Sequence, residues 1–202
     1  MIAIIDYGVG NLFSLVSSLK AIGAKAKITG EKEEILSADK IILPGVGAFA
    51  DAAEKLKKTG LDQTVKQAVT EGKALMGICL GMQLLFDKSF EYGEHEGLGL
   101  ISGQVIPMEN KIPQNLKIPH IGWNALNFTK KSPIFKYLQN GDCVYFVHSF
   151  FATDCDESLV ATCEYGQNLT AAVQKDNIFG CQFHPEKSGK AGLSILKAFN
   201  EL

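Results

Sequence analysis

One of the five cysteines lies in a setting typical of a catalytic nucleophile. Cys79 is the middle residue of the segment 77–81, GICLG, which follows a fully apolar run over residues 74–78. This is the cysteine form of the G-x-S-x-G nucleophile elbow, in which a sharp strand-to-helix turn lifts the reactive atom above a sheet. A small buried cysteine between two core elements is the alternative interpretation. The pattern therefore predicts Cys79 as a nucleophile, with the N–H of Leu80 available to a developing oxyanion.

A thiol nucleophile needs a base and a group that orients that base. Of the four histidines, only His184 has a carboxylate two residues further on, in the segment 183–186, FHPE. The residue before a proline is driven towards extended backbone, and residues two apart in an extended segment face the same side. We therefore expect Glu186 to orient His184, so that Cys79, His184 and Glu186 form a catalytic triad.

A glycine-rich turn ends another predicted strand at residues 44–47, PGVG. Gly47 can present a backbone N–H to an oxyanion there, although a simple glycine turn is the alternative. Residues 45–50 also fit the dinucleotide fingerprint G-x-G-x-x-A, which requires an acidic residue at the end of the next strand. The next predicted strand ends at Cys79 instead. Bound NAD is therefore disfavoured, and we expect no cofactor.

The elements that must position these residues alternate between strand-like and helix-like segments in the first half of the chain. Apolar runs predict strands, and apolar residues at helical spacing predict helices. The predicted strands are residues 2–6, 25–29, 40–43 and 74–78, and the predicted helices are residues 11–22, 31–36, 48–58 and 61–71, followed by one that continues from the elbow through Phe86. Such alternation indicates βαβ units and a mainly parallel sheet.

The second half contains closely spaced strand-like segments, which favour antiparallel hairpins. These segments are residues 98–108, 117–128, 143–148, 159–165, 169–175 and 178–183, and a last helix is predicted over residues 189–202. The expected fold is α/β, with a mainly parallel central sheet flanked by helices and with antiparallel strands added in the C-terminal half. Because the 202 residues contain no linker or repeat, we expect a single domain over residues 1–202.

Composition excludes several classes of protein. The net charge is −2 without a basic stripe, so we expect neither nucleic acid nor an anionic membrane surface as a partner. No segment approaches the ~18 consecutive apolar residues of a membrane span, and the N-terminus does not resemble a signal peptide. The odd number of cysteines and the lack of a CxxC pair argue against a disulfide or zinc framework. We therefore expect a reduced, cytoplasmic chain without a metal site.

Several of these segments resemble known families. Residues 44–47, 77–83 (GICLGMQ) and 183–188 (FHPEKS) resemble the class I, or triad, glutamine amidotransferases. Residues 6–11 (DYGVGN), 119–124 (PHIGWN) and 145–149 (YFVHS) are similar to the glutaminase subunits of imidazole glycerol phosphate synthases, which act in histidine biosynthesis. The resemblance runs from residue 6 to about residue 190, with residues 119–124 as its most specific part.

The resemblance implies that the chain hydrolyses glutamine through a γ-glutamyl thioester on Cys79. It also implies a binding pocket for glutamine. The positions that carry over to that pocket are Gln83, Glu91, His148, Ser149 and Phe150, the last often tyrosine in relatives. From the residues alone, Gln83 and Glu91 could equally lie on solvated helix faces.

The resemblance further implies a heterodimer with a (βα)₈-barrel cyclase subunit, which receives the ammonia and makes imidazole glycerol phosphate and AICAR. A barrel of ~250 residues does not fit within this chain, so the partner must be a separate subunit. The positions that face the barrel in relatives carry over to Asn11, Trp123, Tyr145 and Lys187. Trp123 could instead be a core aromatic residue, and Lys187 an ordinary surface lysine. Low glutaminase activity is expected without the partner.

Other functions stay open at this point. One is a triad glutaminase of another pathway, such as anthranilate or vitamin B6 synthesis, although residues 119–124 argue against it. Another is a non-catalytic binding module with an inert Cys79. A thiol peptidase is a weaker alternative, because unrelated thiol hydrolases share this geometry.

Overall fold

The computed structural model describes residues 1–202 and contains six α-helices and fourteen strands. The helices are α1 (Leu12–Ala21), α2 (Lys32–Ser37), α3 (Phe49–Thr59), α4 (Leu61–Thr70), α5 (Leu80–Gln83) and α6 (Gly189–Asn200). The strands of the first half are β1 (Ile2–Ile5), β2 (Ala26–Thr29), β3 (Lys40–Leu43), β4 (Ala74–Ile78), β5 (Phe86–Ser89) and β6 (His95–Glu96). The strands of the second half are β7 (Ile101–Pro107), β8 (His120–Ala125), β9 (Asn127–Phe128), β10 (Cys143–His148), β11 (Phe150–Thr153), β12 (Leu159–Glu164), β13 (Asn168–Lys175) and β14 (Ile178–Cys181). Two single-turn 3-10 helices cover Pro133–Phe135 and Pro185–Lys187.

An eight-stranded sheet forms the centre of the molecule, in the order β2-β1-β3-β4-β14-β13-β12-β9. The pairs from β2 to β14 are parallel, and the pairs from β14 to β9 are antiparallel. The predicted α/β architecture, with a parallel core extended by antiparallel strands, is therefore confirmed.

Helices cover both faces of this sheet, because the side chains of buried strands alternate between the two faces. In β1, Ile2 and Ile4 pack in the cluster that holds the apolar residues of α1 and α6. Ala3 and Ile5 pack in a second cluster, with the apolar residues of α2, α3 and α4. The core is thus divided into two layers by the sheet. None of the helices is both long and apolar enough to span a bilayer.

The prediction of a helix that continues from the elbow through Phe86 was wrong. Helix α5 is a single turn that ends at Gln83, and Phe86 begins β5 of a separate four-stranded sheet, ordered β11-β7-β5-β6. Phe86 is fully buried in the second core layer, and its apolar character is equally compatible with a buried strand. Strands β6 and β11 were not predicted from the sequence.

Two other strand predictions change in detail. The segment 117–128 divides into β8, which pairs with β10 in a two-stranded sheet, and β9, which joins the edge of the central sheet. The segment 178–183 was expected in antiparallel hairpins, and β14 does pair antiparallel with β13. On its other side, however, β14 pairs parallel with β4. That second pairing determines the geometry of the candidate site.

Candidate active site

Cys79 occupies a strained turn between β4 and α5. Its backbone has φ 54° and ψ −112°, a positive φ that non-glycine residues seldom adopt. The flanking glycines make the turn possible: a Cβ on Gly77 would lie 2.6 Å from the carbonyl oxygen of Gly81, and a Cβ on Gly81 would overlap the carbonyl oxygen of Leu43. The elbow expected from the segment 77–81 is therefore present, and its N–H groups at the start of α5 lack intrahelical acceptors.

The parallel pairing of β4 with β14 brings Cys79 next to the segment that carries His184. Ile78 is opposite Cys181 in register, and the N–H of Cys79 donates to the carbonyl oxygen of Cys181 at 2.7 Å. Because both strands end at this edge of the sheet, the residues after them meet there. Ligand sites of open α/β sheets typically lie at the carboxyl ends of parallel strands.

His184 and Glu186 form a buried pair at this edge. Nδ1 of His184 lies 2.8 Å from Oε1 of Glu186, and both side chains are only 4% exposed. His184 is extended, as expected before a proline, but residues 185–187 form one 3-10 turn rather than continuing the extended segment. The hydroxyl of Ser188 donates to the carbonyl oxygen of His184 at 2.7 Å and thereby holds this turn.

The charge state of His184 follows from its two neighbours. Burial of the imidazole lowers its pKa, but the adjacent Cys79 and the hydrogen-bonded carboxylate of Glu186 raise the pKa to about 9. The imidazolium form therefore predominates at neutral pH. The second carboxylate oxygen of Glu186 is buried and has no protein hydrogen-bond partner.

A cavity of about 320 Å³ opens in front of Cys79 and His184. Ten residues predicted from the sequence for the site or the interface line it. They are Gly47, Cys79, Leu80, Gln83, Glu91, His148, Ser149, Phe150, His184 and Lys187. Gly47 has a φ of 92°, the positive value that the glycine-rich turn predicted.

Gln83 and Glu91 are buried, so the interpretation as solvated helix-face residues was wrong for both. The Gln83 amide donates to Oε1 of Gln182 at 3.0 Å and to the carbonyl oxygen of Phe150 at 3.2 Å. Oε2 of Glu91 accepts the N–H of Phe49, the first residue of α3, at 2.7 Å. Burial raises the pKa of Glu91 and this hydrogen bond opposes the rise, because the helix N-terminus favours the carboxylate.

Two residues of the site were missed by the sequence analysis. Gln182 is fully buried, and its Nε2 lies 3.8 Å from Sγ of Cys79. A single polar residue within the apolar run 178–183 was the available signal. Tyr92 lines the cavity, is 90% exposed and packs edge-on against Phe150 with ring centroids 6.0 Å apart. No pattern in the sequence distinguished Tyr92 from a surface tyrosine.

Three of the four residues predicted for the partner interface lie together beside the cavity. Trp123 and Tyr145 are opposite each other in the β8–β10 pair, with ring centroids 6.1 Å apart. Nζ of Lys187 lies 5.8 Å from the centroid of the Tyr145 ring. Trp123 is 55% exposed, so the interpretation as a core aromatic residue was wrong. Asn11 lies apart from these three and lines a small cavity together with His184 and Glu186.

A larger cavity, of about 600 Å³, lies elsewhere on the molecule. Its lining includes Cys155 and several acidic residues but no histidine, so its thiol has no imidazole base. The smaller cavity in front of Cys79 is therefore the candidate active site.

Comparison with known proteins agrees with this geometry. The model of the family "Glutamine amidotransferase class-I" matches residues 3–201. The imidazole glycerol phosphate synthase subunit HisH of Caldanaerobacter subterraneus subsp. tengcongensis is 51% identical over 203 residues, covering 100% of this chain and 98% of that protein. The HisH subunit of Lactococcus lactis subsp. lactis is 49% identical and covers 99% of this chain and 98% of its own length.

The chain belongs to the HisH family of class-I glutamine amidotransferases. This HisH-family chain is thus a glutamine amidotransferase, and the resemblance seen in its motifs is confirmed over its whole length.

Solved structures share the fold at lower identity. A chain in the structure of PurLQS from Thermotoga maritima superposes with a TM-score of 0.77 at 20% identity, covering 98% of this HisH-family chain and 96% of that chain. The glutaminase domain of Trypanosoma brucei CTPS with bound acivicin superposes with a TM-score of 0.68 at 17% identity, covering 99% and 93%. At these identities the likeness supports the fold alone.

Proposed function

We propose that this chain, acting as one domain over residues 1–202, hydrolyses glutamine to glutamate and ammonia through a thioester on Cys79. The ammonia passes to a separate (βα)₈-barrel cyclase subunit, which makes imidazole glycerol phosphate and AICAR in histidine biosynthesis in the cytoplasm. The observation that carries the proposal is that Cys79 and His184 line one cavity, with the buried carboxylate of Glu186 on Nδ1 of His184.

The first half of the reaction forms the thioester. Cys79 reacts as a thiolate, and His184, whose pKa is raised, provides the proton for the leaving group. Sγ attacks the side-chain carbonyl carbon of glutamine, and the carbonyl oxygen becomes an oxyanion. The N–H groups of Leu80 and Gly47 are the proposed donors to that oxyanion, since both residues line the cavity. The C–N bond then breaks, and imidazolium His184 protonates the leaving nitrogen to give ammonia.

The second half releases glutamate. His184, now neutral, accepts a proton from a water molecule that attacks the thioester carbonyl. The C–S bond breaks, glutamate leaves and the Cys79 thiolate and His184 imidazolium are restored. Glu186 contacts Nδ1 throughout, which keeps Nε2 of His184 directed towards the reacting atoms.

Recognition of glutamine requires groups for both its charged end and its amide. The buried carboxylate of Glu91 offers a partner for the α-ammonium group, and Gln83, His148, Ser149 and Phe150 line the rest of the cavity. We assign the group of Trp123, Tyr145 and Lys187, together with Asn11, to the interface with the barrel. An exposed tryptophan beside the cavity supports this assignment, because tryptophan often anchors protein interfaces.

A glutamine-analogue alkylating agent tests the nucleophile directly. The chain, alone and with a histidine-pathway barrel subunit, is treated with the agent and analysed by mass spectrometry. We expect one adduct, on Cys79, formed faster with the barrel present. Cys143→Ser is the matched control, because Cys143 is the exposed cysteine and lies outside the cavity. An absent Cys79 adduct in the complex would favour a non-catalytic module, and activation only by an anthranilate or vitamin B6 pathway partner would move the chain to that pathway.

A further inference from the structure

A chain of side-chain hydrogen bonds runs from the wall of the cavity to β8. His148, which lines the cavity, has its Nδ1 2.9 Å from the carbonyl oxygen of Phe150 and its Nε2 3.0 Å from Nδ1 of His120. Nε2 of His120 lies 2.7 Å from Oδ1 of Asn124. His120 is fully buried and His148 is 6% exposed, so the four ring nitrogens find their partners within this chain.

Both ends of the chain are hydrogen-bond acceptors. One end is the carbonyl oxygen of Phe150. At the other end, Nδ2 of Asn124 donates to the carbonyl oxygen of Glu164 at 3.0 Å, which turns Oδ1 towards His120. Nδ1 of His148 and Nε2 of His120 must therefore both carry protons.

The number of protons shared by His148 and His120 determines the charge of the pair. Two neutral imidazoles carry two N–H protons, and the two acceptors at the ends use both. Nε2 of His148 and Nδ1 of His120 would then face each other as two lone pairs 3.0 Å apart, an arrangement that repels. A third proton converts this contact into an N–H···N hydrogen bond. The pair therefore keeps its geometry only with one positive charge.

The surroundings place that charge on His120. Its ring stacks against Phe146, with centroids 5.0 Å apart, and against Tyr165, with centroids 4.0 Å apart. An imidazolium between two aromatic faces gains cation–π attraction on both sides. Burial lowers the pKa of His148 to about 3, and the charges of His120 and His184 act in the same direction, so His148 is the neutral ring. The pKa of His120 is lowered overall, because burial outweighs the hydrogen bond with Asn124. The charge is assigned to His120 from the facing ring nitrogens and the two aromatic faces, against this lowering.

Other ionisable groups surround the pair without neutralising it. Cys79, Glu91, Tyr92, His184 and Lys187 line the cavity on the side of His148. On the other side, Tyr165 stacks on His120, and its hydroxyl donates to the carbonyl oxygen of Lys117 at 2.8 Å. Neither histidine forms an ion pair with a carboxylate. The charge is therefore held by the hydrogen-bond acceptors and the aromatic faces.

We propose that His120 is a positioning residue for the glutamine pocket, acting as a buried imidazolium that donates to His148 and so directs the Nδ1–H of His148 to the carbonyl oxygen of Phe150. The same carbonyl oxygen accepts from Gln83, whose amide also donates to Gln182 beside Cys79. One hydrogen-bonded chain thus links the site of the nucleophile to β8, the strand that carries Trp123. The functional part of the inference rests on the proposed function of this cavity.

Nitrogen NMR of the full-length chain tests the proton arrangement independently of activity. Long-range ¹⁵N–¹H spectra with labelled histidine, recorded at neutral pH and assigned with single variants, distinguish the protonation state of each ring. We expect both nitrogens of His120 to be protonated and His148 to be neutral with its proton on Nδ1. A neutral His120, or a His148 with its proton on Nε2, would overturn the assignment of the charge.

His120→Phe tests the positioning role. Phenylalanine can stack between Phe146 and Tyr165 but can neither donate to His148 nor carry a charge. In the complex with the barrel, we expect the KM for glutamine to rise by about tenfold with a smaller change in kcat. The proton of His148 should stay on Nδ1, because the carbonyl oxygen of Phe150 accepts it in both proteins. Tyr137→Phe is the control for an aromatic substitution, because Tyr137 contacts Glu201 and lines neither the cavity nor this hydrogen-bonded chain.

The two measurements separate the possible failures. A folded His120→Phe variant with an unchanged KM would overturn the positioning role, whatever the NMR result. If His120→Phe does not fold, the NMR spectra of the unmodified chain still decide the charge. If the unmodified complex hydrolyses no glutamine, the proposed function fails, while the proton arrangement is still decided by NMR.

Discussion

Nδ1 of His184 and Oε1 of Glu186 are 2.8 Å apart although a proline separates the two residues in the chain. The proline confines the preceding backbone to an extended conformation, and the 3-10 turn that follows returns the carboxylate to the imidazole. This contact orients the ring and contributes to the raised pKa of His184. Two short-range features of the sequence thereby produce a buried, charged pair at the end of β14.

Glu186→Gln should reduce glutamine-dependent turnover by about 100-fold, because the amide can neither carry the negative charge nor enforce the same tautomer of His184. Turnover of the complex is measured with glutamine and, separately, with ammonium salts. Glu94→Gln is the matched control, because Glu94 lies in the turn between β5 and β6 and forms an exposed ion pair with Lys88. Full glutamine-dependent activity in Glu186→Gln would remove Glu186 from the triad.

The rate of glutamine hydrolysis should fall as the pH rises through about 9. The pKa of His184 is raised from 6.5 to about 9, so the imidazolium that protonates the leaving nitrogen is present below that pH and is lost above it. For the same reason, the stability contributed by this group is fully present below about pH 6.5 and is lost as the pH rises through about 9.

Measurement of kcat for the complex from about pH 6 to about pH 10 checks this expectation. In Glu186→Gln the alkaline fall should move to lower pH, because one of the groups that raise the pKa has lost its charge. An alkaline limb at the same pH in both proteins would contradict the assignment to His184.

Cys79→Ser should abolish glutamine-dependent turnover and leave ammonium-dependent turnover of the complex unchanged. The serine hydroxyl is a much weaker nucleophile than the cysteine sulfur, whereas the barrel reaction requires only ammonia. Loss of both activities would contradict the division of labour between the two subunits. Cys143→Ser should affect neither activity.

Trp123→Ala should weaken association with the barrel by about 2 kcal/mol, the typical effect of removing an interface tryptophan. Its thermal unfolding should change little, because the side chain is half exposed. Titration calorimetry with the barrel subunit measures the affinity. Tyr137→Ala is the control, since Tyr137 is an exposed aromatic residue that contacts Glu201 in another part of the molecule. Equal affinities for the two variants would argue against an interface at Trp123.

Gly81→Ala should destabilise the fold by about 3 kcal/mol, because its Cβ would overlap the carbonyl oxygen of Leu43 in the neighbouring strand. Gly23→Ala is a graded control. Its Cβ would meet no atom within 4 Å, so only the cost of a positive φ, about 1 kcal/mol, is expected. Denaturant unfolding of both variants measures the difference. Equal losses would show that the close approach of Leu43 does not require glycine at position 81.

The local parts of the site could be predicted from the sequence alone. The glycines around Cys79, the proline after His184 and the carboxylate at position 186 act through steric and conformational effects that span only a few residues. The alternation of strands and helices in the first half likewise predicted the parallel core, because each element depends mainly on its own apolar pattern. The pocket and interface residues were predicted from the family resemblance, because their spacing alone did not identify them.

Only the tertiary structure decided what depends on contacts between distant segments. The parallel pairing of β14 with β4 joins residues about one hundred positions apart, and no local pattern encodes which strand is the neighbour of β4. The hydrogen bonds of Gln182, the burial of Glu91 against the start of α3 and the facing rings of His120 and His148 arise in the same way. The pKa of a buried group depends on neighbours brought together by folding, so the charge of His184 also became apparent only in three dimensions.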